Sequence, residues 1–144
     1  MPQFGSVSKQ HLATCHHDLQ LILNEAIANC SVDFGISEGH RSIADQQKYF
    51  KEGKSKVDGI KVKGKHNHTP SLAADIYLWI KGKAVWNNES LSYVAGYIEA
   101  TANHLYNIGT VDHLIRWGGN WNRDGEILTD QSFDDRPHFE LFKP

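Results

Sequence analysis

The chain is poor in several things that would otherwise define it. It has two cysteines and four prolines in 144 residues, too few for a disulfide scaffold or a proline-rich extended segment. Cys15 and Cys30 fall within one helical pattern, which at about 1.5 Å per residue separates them by roughly 22 Å. That exceeds disulfide reach, so both are expected to be free thiols from a reducing compartment. No apolar run approaches the ~20 residues of a membrane span. Met1-Pro2-Gln3-Phe4-Gly5-Ser6 lacks a basic region followed by an apolar one, so no secretory signal is expected and synthesis is assigned to the cytoplasm. The formal net charge of -2 provides no general attraction to nucleic acid or an anionic membrane, and neither is expected as a partner.

What is present fits an ordinary globular chain, 40% hydrophobic and 22% charged, long enough to bury a core as one domain over residues 1–144. Nine histidines are many for this length, and histidine is the commonest metal ligand. The hydrophobic spacing predicts a helix from about Ser8 through Ile27, then a half-buried strand over Val32, Phe34 and Ile36. Ser42 is placed to cap a second helix, with Asp45 three residues on and Gly53 as its stop. Residues 54–71 read as a long polar loop. Leu72 to Ile80 reads as a central strand, turned by Lys81-Gly82 into a short return over Ala84-Val85-Trp86. Asn87 or Asn88 caps a third helix ended by Gly109, and Leu114 to Trp117 and Pro137 to Phe142 are strand candidates. Helices and hairpin-linked strands in irregular order predict an α+β fold with a mainly antiparallel sheet.

Chemistry concentrates in two distant segments. Lys65-His66-Asn67-His68 precedes a strand containing Asp75, and Asp135-Arg136-Pro137-His138-Phe139-Glu140 lies near the C-terminus. A hydrolytic zinc site takes three ligands from His, Asp and Glu and leaves the fourth position to water. Taken singly, each segment also reads as histidines beside a surface turn.

Together with Glu38-Gly39-His40-Arg41-Ser42 and Trp117-Gly118-Gly119-Asn120-Trp121, these segments resemble the M15 family of zinc peptidases. This is the D-alanyl-D-alanine carboxypeptidase and dipeptidase superfamily, and the likeness is to its phage endolysin branch of L-alanyl-D-glutamate endopeptidases. The resemblance spans nearly the whole chain. It implies a compact hedgehog/DD-peptidase-like α+β fold, one zinc ion, and metal ligands His66, Asp75 and His138. The branch's Lys-His-Asn-x-x-Pro-Ser-x-Ala-x-Asp spacing selects His66, whereas the general family spacing would select His68. Asp135 corresponds to the family's general base, with Asp134 as the alternative, and Glu140 is positioned to orient His138 or else to face solvent. Arg41 is assigned to a substrate carboxylate or developing oxyanion, assisted by Gln46.

The implied activity is metal-assisted hydrolysis of the L-Ala–D-Glu bond in the peptidoglycan stem peptide, by a monomer that waits in the host cytoplasm until membrane failure admits it to the wall. The alternatives are a D-Ala-D-Ala carboxypeptidase or dipeptidase, and a non-catalytic zinc-containing wall-binding module. Residues 120–126 resemble the start of a calcium loop, Asp-x-Asn-x-Asp-Gly, with Asn120 in the first place and no Glu at the twelfth. Those departures favour a tight polar turn over a Ca2+ site.

Overall fold

A computed structural model describes residues 2–126 and 134–144. In chain order the helices are α1 (Ser6–Ala13), α2 (His17–Asn29), α3 (Ile43–Lys51) and α4 (Asn88–Asn107). The strands are β1 (Asp33–Glu38), β2 (Ala73–Ile80), β3 (Lys83–Val85), β4 (Leu114–Trp117) and β5 (His138–Phe142). The sheet runs β1-β2-β5-β4, with β3 also on β2, and every pair is antiparallel. The α+β fold expected from the sequence is the fold observed. Among the described residues no helix is long and apolar enough to cross a membrane.

Strand alternation divides the sheet into two chemically different faces. Phe34 and Ile36 of β1, Ala74, Ile76 and Leu78 of β2, Ile115 and Trp117 of β4, and Phe139 and Leu141 of β5 join one core with helix residues. Leu19, Ile22, Leu23 and Ala26 of α2 and Leu91, Val94 and Ile98 of α4 supply most of the other side. Asp75, Tyr77 and Trp79, and His138 and Glu140, therefore point to the opposite, open face.

Two local devices shape that face. The β1–β2 register slips between Ile36 and Glu38, so that Glu38 rather than Ser37 pairs with Asp75. Without this bulge, alternation would send Glu38 toward the core; the extra residue re-aims it beside Asp75. At the hairpin tip Lys81 and Gly82 both have positive φ, 52° and 79°, the combination that lets a two-residue turn match strand twist.

The first predicted helix is two. Thr14 and His16 break it, because Ser71 N–H donates to Thr14 O at 2.9 Å and His16 N–H donates to Ser71 O at 2.8 Å. Cys15 lies in this break and Cys30 follows α2 as its C-cap. They do not share one helix, although both are buried free thiols. The break is made by pairing with a residue 55 positions away or more, which helical periodicity cannot register. The α3 start is as read: Ser42 Oγ accepts from Asp45 N–H at 3.1 Å.

The new helix start at His17 is tied to the β4 end of the sheet. His16 Nδ1 accepts from Asp18 N–H at 3.0 Å. Asp18 Oδ2 accepts from Asp112 N–H at 3.0 Å and lies 2.6 Å from His113 Nδ1. Burial alone would raise the Asp18 carboxyl, but the bonds from His113 and Asp112 outweigh it and hold the group below its ordinary value. A carboxylate depressed on folding contributes stability above its unfolded range, and that contribution is lost as pH falls through the folded value. Asp18→Asn is expected to cost about 2 kcal/mol at neutral pH, since bonds to a charged acceptor contribute roughly 1.5–3 kcal/mol. Urea unfolding at a series of pH values should show the gap between variant and wild type closing in acid.

Candidate metal centre

Three side chains from separate parts of the chain meet on the open face. His66 lies in a 3-10 turn, Lys65–Asn67, and Asp75 and His138 are direct cross-strand partners on β2 and β5. His66 Nε2 is 3.2 Å from Asp75 Oδ1 and 3.2 Å from His138 Nδ1, and His138 Nδ1 is 3.1 Å from Asp75 Oδ1. A tetrahedral ion with arms of ~2.0–2.1 Å has ligand-to-ligand edges of about 3.3 Å. The observed triangle is close to one face of such a tetrahedron.

Each imidazole is turned by a partner on its far nitrogen. His66 Nδ1 lies 2.7 Å from Gly39 O, and His138 Nε2 lies 2.9 Å from Glu140 Oε1. Both partners accept, so these outer nitrogens carry the protons and the inner ones present lone pairs toward Asp75. Three acceptors facing one point at this spacing need a cation among them. Burial alone would lower His138, but hydrogen bonds to Asp75 and Glu140 prevail and raise it to about 10. Burial would likewise raise Asp75, while the two imidazoles hold it well below the usual carboxylate range. The donor set, its spacing and its outer bonds fit a divalent ion.

The turn carrying His66 is locked to the loop after β1. Arg41 N–H donates to His66 O at 2.8 Å, and Asn67 Nδ2 donates to Arg41 O at 3.0 Å. Asn67 Oδ1 accepts from Gly64 N–H at 2.8 Å. His68 belongs to neither this lock nor the triangle.

A cleft of about 790 Å³ opens over the three residues, lined also by Arg41, Gln46, Trp121 and Asp135. Arg41 is buried: Nε donates to Glu38 Oε1 at 3.0 Å, Nη1 donates to Gln46 Oε1 at 2.9 Å, and Nη2 stands 3.7 Å from Asp75 Oδ2. Its guanidinium lies over the Tyr49 ring at 4.5 Å. Gln46 spends its other end on Ser55 Oγ at 2.8 Å and Val57 O at 2.7 Å. It thus ties the lysine-rich loop to Arg41, and its amide is engaged at both ends.

Asp135 and Asp134 separate clearly. Asp134 pairs with Arg136 Nε at 3.0 Å, and Arg136 in turn reaches Ser92 Oγ on α4 at 3.2 Å. Asp135 instead borders the cleft, held by N–H donation to Gly118 O at 3.0 Å. A Cβ on Gly118 would come within 1.9 Å of Asp135 O, so this close passage requires glycine there. Burial and the charge of Asp75 raise the Asp135 carboxyl to about 6, against the opposing pull of His138, His66 and Arg41.

Sequence reading left Glu38 and Tyr49 without roles, although they clamp Arg41; only the bulge brings Glu38 to it. Trp117 is buried, its Nε1 donating to Arg136 O at 2.7 Å, while the Trp121 ring stands 5.4 Å from that of His138. Residues 120–126 form a turn in which side-chain oxygens accept from backbone: Asn122 Oδ1 from Asp124 N–H at 3.2 Å, and Asp124 Oδ1 from Glu126 N–H at 2.8 Å. The twelfth position of the calcium-like pattern, Gln131, lies outside the described residues.

Titration with Co2+ as a spectroscopic probe should reach its end point at one equivalent per chain, with the visible absorption of a low-coordinate ion. His66→Ala should abolish that absorption, and His68→Ala should leave it intact. The reverse pattern would mean that the wrong histidine has been placed at the metal.

Comparison with known proteins agrees with this geometry. The model of the phage L-alanyl-D-glutamate peptidase family matches residues 1–142. The L-alanyl-D-glutamate peptidase of Escherichia phage T5 is 29% identical over 125 residues, covering 86% of this chain and 85% of that protein. The peptidoglycan L-alanyl-D-glutamate endopeptidase CwlK of Bacillus subtilis is 31% identical over 124 residues, covering 83% of this chain and 66% of CwlK. The crystal structure of the Serratia marcescens L-Ala D-Glu endopeptidase ChiX superposes with a TM-score of 0.77 at 23% identity, over 99% of this chain and 90% of ChiX, which shows a shared fold. With a family match over almost its full length and a fold to go with it, the chain belongs to the phage L-alanyl-D-glutamate peptidase family.

Proposed function

We propose that this chain is a zinc-dependent peptidoglycan endopeptidase, a single catalytic domain over residues 1–144 that hydrolyses the L-Ala–D-Glu bond of the stem peptide. The observation that carries the reading is the three-atom triangle of His66, Asp75 and His138 beneath an open cleft bordered by a separate carboxylate. Family membership supplies the bond specificity, because ligand geometry alone does not distinguish one peptide bond from another.

Zinc is the ion of choice for two imidazoles and a carboxylate, and when bound it supplies Lewis acidity that polarises a carbonyl and acidifies adjacent water. The remaining work falls to the chain. Asp135 accepts a proton from the attacking water on a carboxylate oxygen, then delivers it to the leaving amine nitrogen as the C–N bond breaks. Glu140 and Gly39 O keep the imidazoles in the tautomers that face the metal. Arg41 is pre-set by Glu38 and Gln46, so its charge meets a substrate carboxylate or developing oxyanion without first having to be ordered. Peptidoglycan stem peptide is the proposed partner. The proposed setting is a lysis protein acting as a monomer that reaches the wall once the host membrane fails.

Asp135→Asn should retain one zinc per chain while lowering kcat/KM by about 10²–10⁴, the usual worth of a positioned acid–base group. The base must be ionised, so wild-type kcat/KM should fall as pH drops through a value at or below about 6, and residual activity of the variant should lack that limb. Mass spectrometry of digested muropeptides identifies the bond. Release of free D-alanine alone would establish the carboxypeptidase alternative, and zinc binding without any cleavage would establish a wall-binding module.

A further inference from the structure

The open face of the sheet does not end at the metal. Along β2, Asp75, Tyr77 and Trp79 alternate with core-facing Ile76 and Leu78. The two aromatics follow Asp75 at roughly 7 and 13 Å along the strand, by the ordinary rise per residue. Trp79 pairs with Ala84, and Trp86, two residues further, falls on the same face, its ring 6.1 Å from that of Tyr77. On the other side Tyr77 pairs with Gly35, where a Cβ would meet the tyrosine ring at 2.5 Å; the missing side chain lets the ring lie across β1. The result is a patch of three aromatics on the open face, with Tyr77 lying over Gly35, Trp86 beside it, and Trp79 between Asp33 and Ala84. Trp79 is 46% and Trp86 52% exposed. Two half-exposed tryptophans on one face are a patch in search of a ligand more than a contribution to the core.

Its neighbour indicates what that ligand is. The patch begins at the next same-face position of β2 after Asp75, and Asp75 and Ser37 of the adjacent strand both line the cleft. Arg41, Lys54, Lys56 and Lys63 also line the cleft, with Arg41 and Lys54 both over the Tyr49 ring. A stem peptide cut after its first residue has matching polarity. Its carboxylates lie beyond the cut, whereas on the near side one alanine and a lactyl group lead to the muramic acid ring. Two residue lengths of extended chain span at most about 7 Å. The first sugar must therefore lie about as far from the reacting carbonyl as Tyr77 lies from Asp75.

We propose that the Tyr77–Trp79–Trp86 patch docks the glycan backbone of peptidoglycan, with the apolar faces of its N-acetylated pyranose rings stacked on these aromatics. The cationic side chains of the cleft receive the acidic peptide, so that substrate orientation is set by different chemistry in cleft and patch. This inference rests on the peptidase reading, and its test separates the two.

Kinetics on a disaccharide-linked stem peptide are compared with kinetics on the same peptide lacking sugar, for wild type, Trp79→Ala, Trp86→Ala and Trp86→Phe. In the alanine variants KM for the sugar-bearing substrate should rise about tenfold or somewhat less, the scale of one aromatic contact, with kcat and all sugar-free kinetics unchanged. Trp86→Phe should recover most of the loss. Independently of catalysis, peptide-free glycan strands should quench wild-type tryptophan fluorescence saturably and the double alanine variant not at all. Equal effects on both substrates would assign the aromatics to hairpin stability and overturn the proposal. So would absence of glycan binding by the wild type, or sedimentation showing a dimer that Trp86→Ala dissociates. Should wild type cleave neither substrate, the peptidase reading fails, and the fluorescence titration still decides the docking.

Discussion

The structure turns on two imidazole nitrogens and a carboxylate oxygen held close together on the open face of the sheet. His66 Nε2, Asp75 Oδ1 and His138 Nδ1 sit within 3.1–3.2 Å of each other, an arrangement that is repulsive unless a cation occupies it. Much of the surrounding architecture serves to maintain that proximity. Gly39 O and Glu140 fix the outer edges of the two rings, Asn67 and Arg41 fix the turn that carries His66, and β2–β5 pairing fixes Asp75 against His138. Removing any one of these supports leaves an inner nitrogen free to rotate its lone pair away.

The sheet makes this economical by dividing labour between its faces. One face is wholly apolar and packs on α2 and α4, which gives the strands a rigid backing. The other holds titratable groups, and the same strands set their spacing. A site built on paired strands keeps its geometry more closely than one built on loops. The single departure, the bulge before Glu38, lets β1 add an acidic clamp for Arg41 without disturbing the hydrophobic register of Phe34 and Ile36.

How much of this was legible in the sequence varies by kind of signal. Strands and helices with clean periodicity appear close to where alternation and capping put them, including the Ser42 and Asn87 caps. His66, Asp75 and His138, which the structure brings together, stood out in the sequence because their types are rare and their spacing resembles a family. What stayed hidden depends on contacts between distant positions. The break after α1 exists because Ser71 pairs there, and Glu38 reaches Arg41 only through a register slip. The separation of Asp134 from Asp135 likewise follows from Arg136 reaching Ser92 on a helix more than forty positions earlier. Gln46, expected to assist Arg41, lines the cleft with its amide committed to Arg41 and the lysine-rich loop, a pairing set by contacts the sequence does not display.

Crystals grown with zinc, with diffraction recorded on both sides of the zinc absorption edge, test the central claim most directly. The account predicts one strong anomalous peak at ~2.0–2.2 Å from His66 Nε2, Asp75 Oδ1 and His138 Nδ1. A dominant peak at His68, or between His16, Asp18 and His113 with none at the triangle, would contradict it.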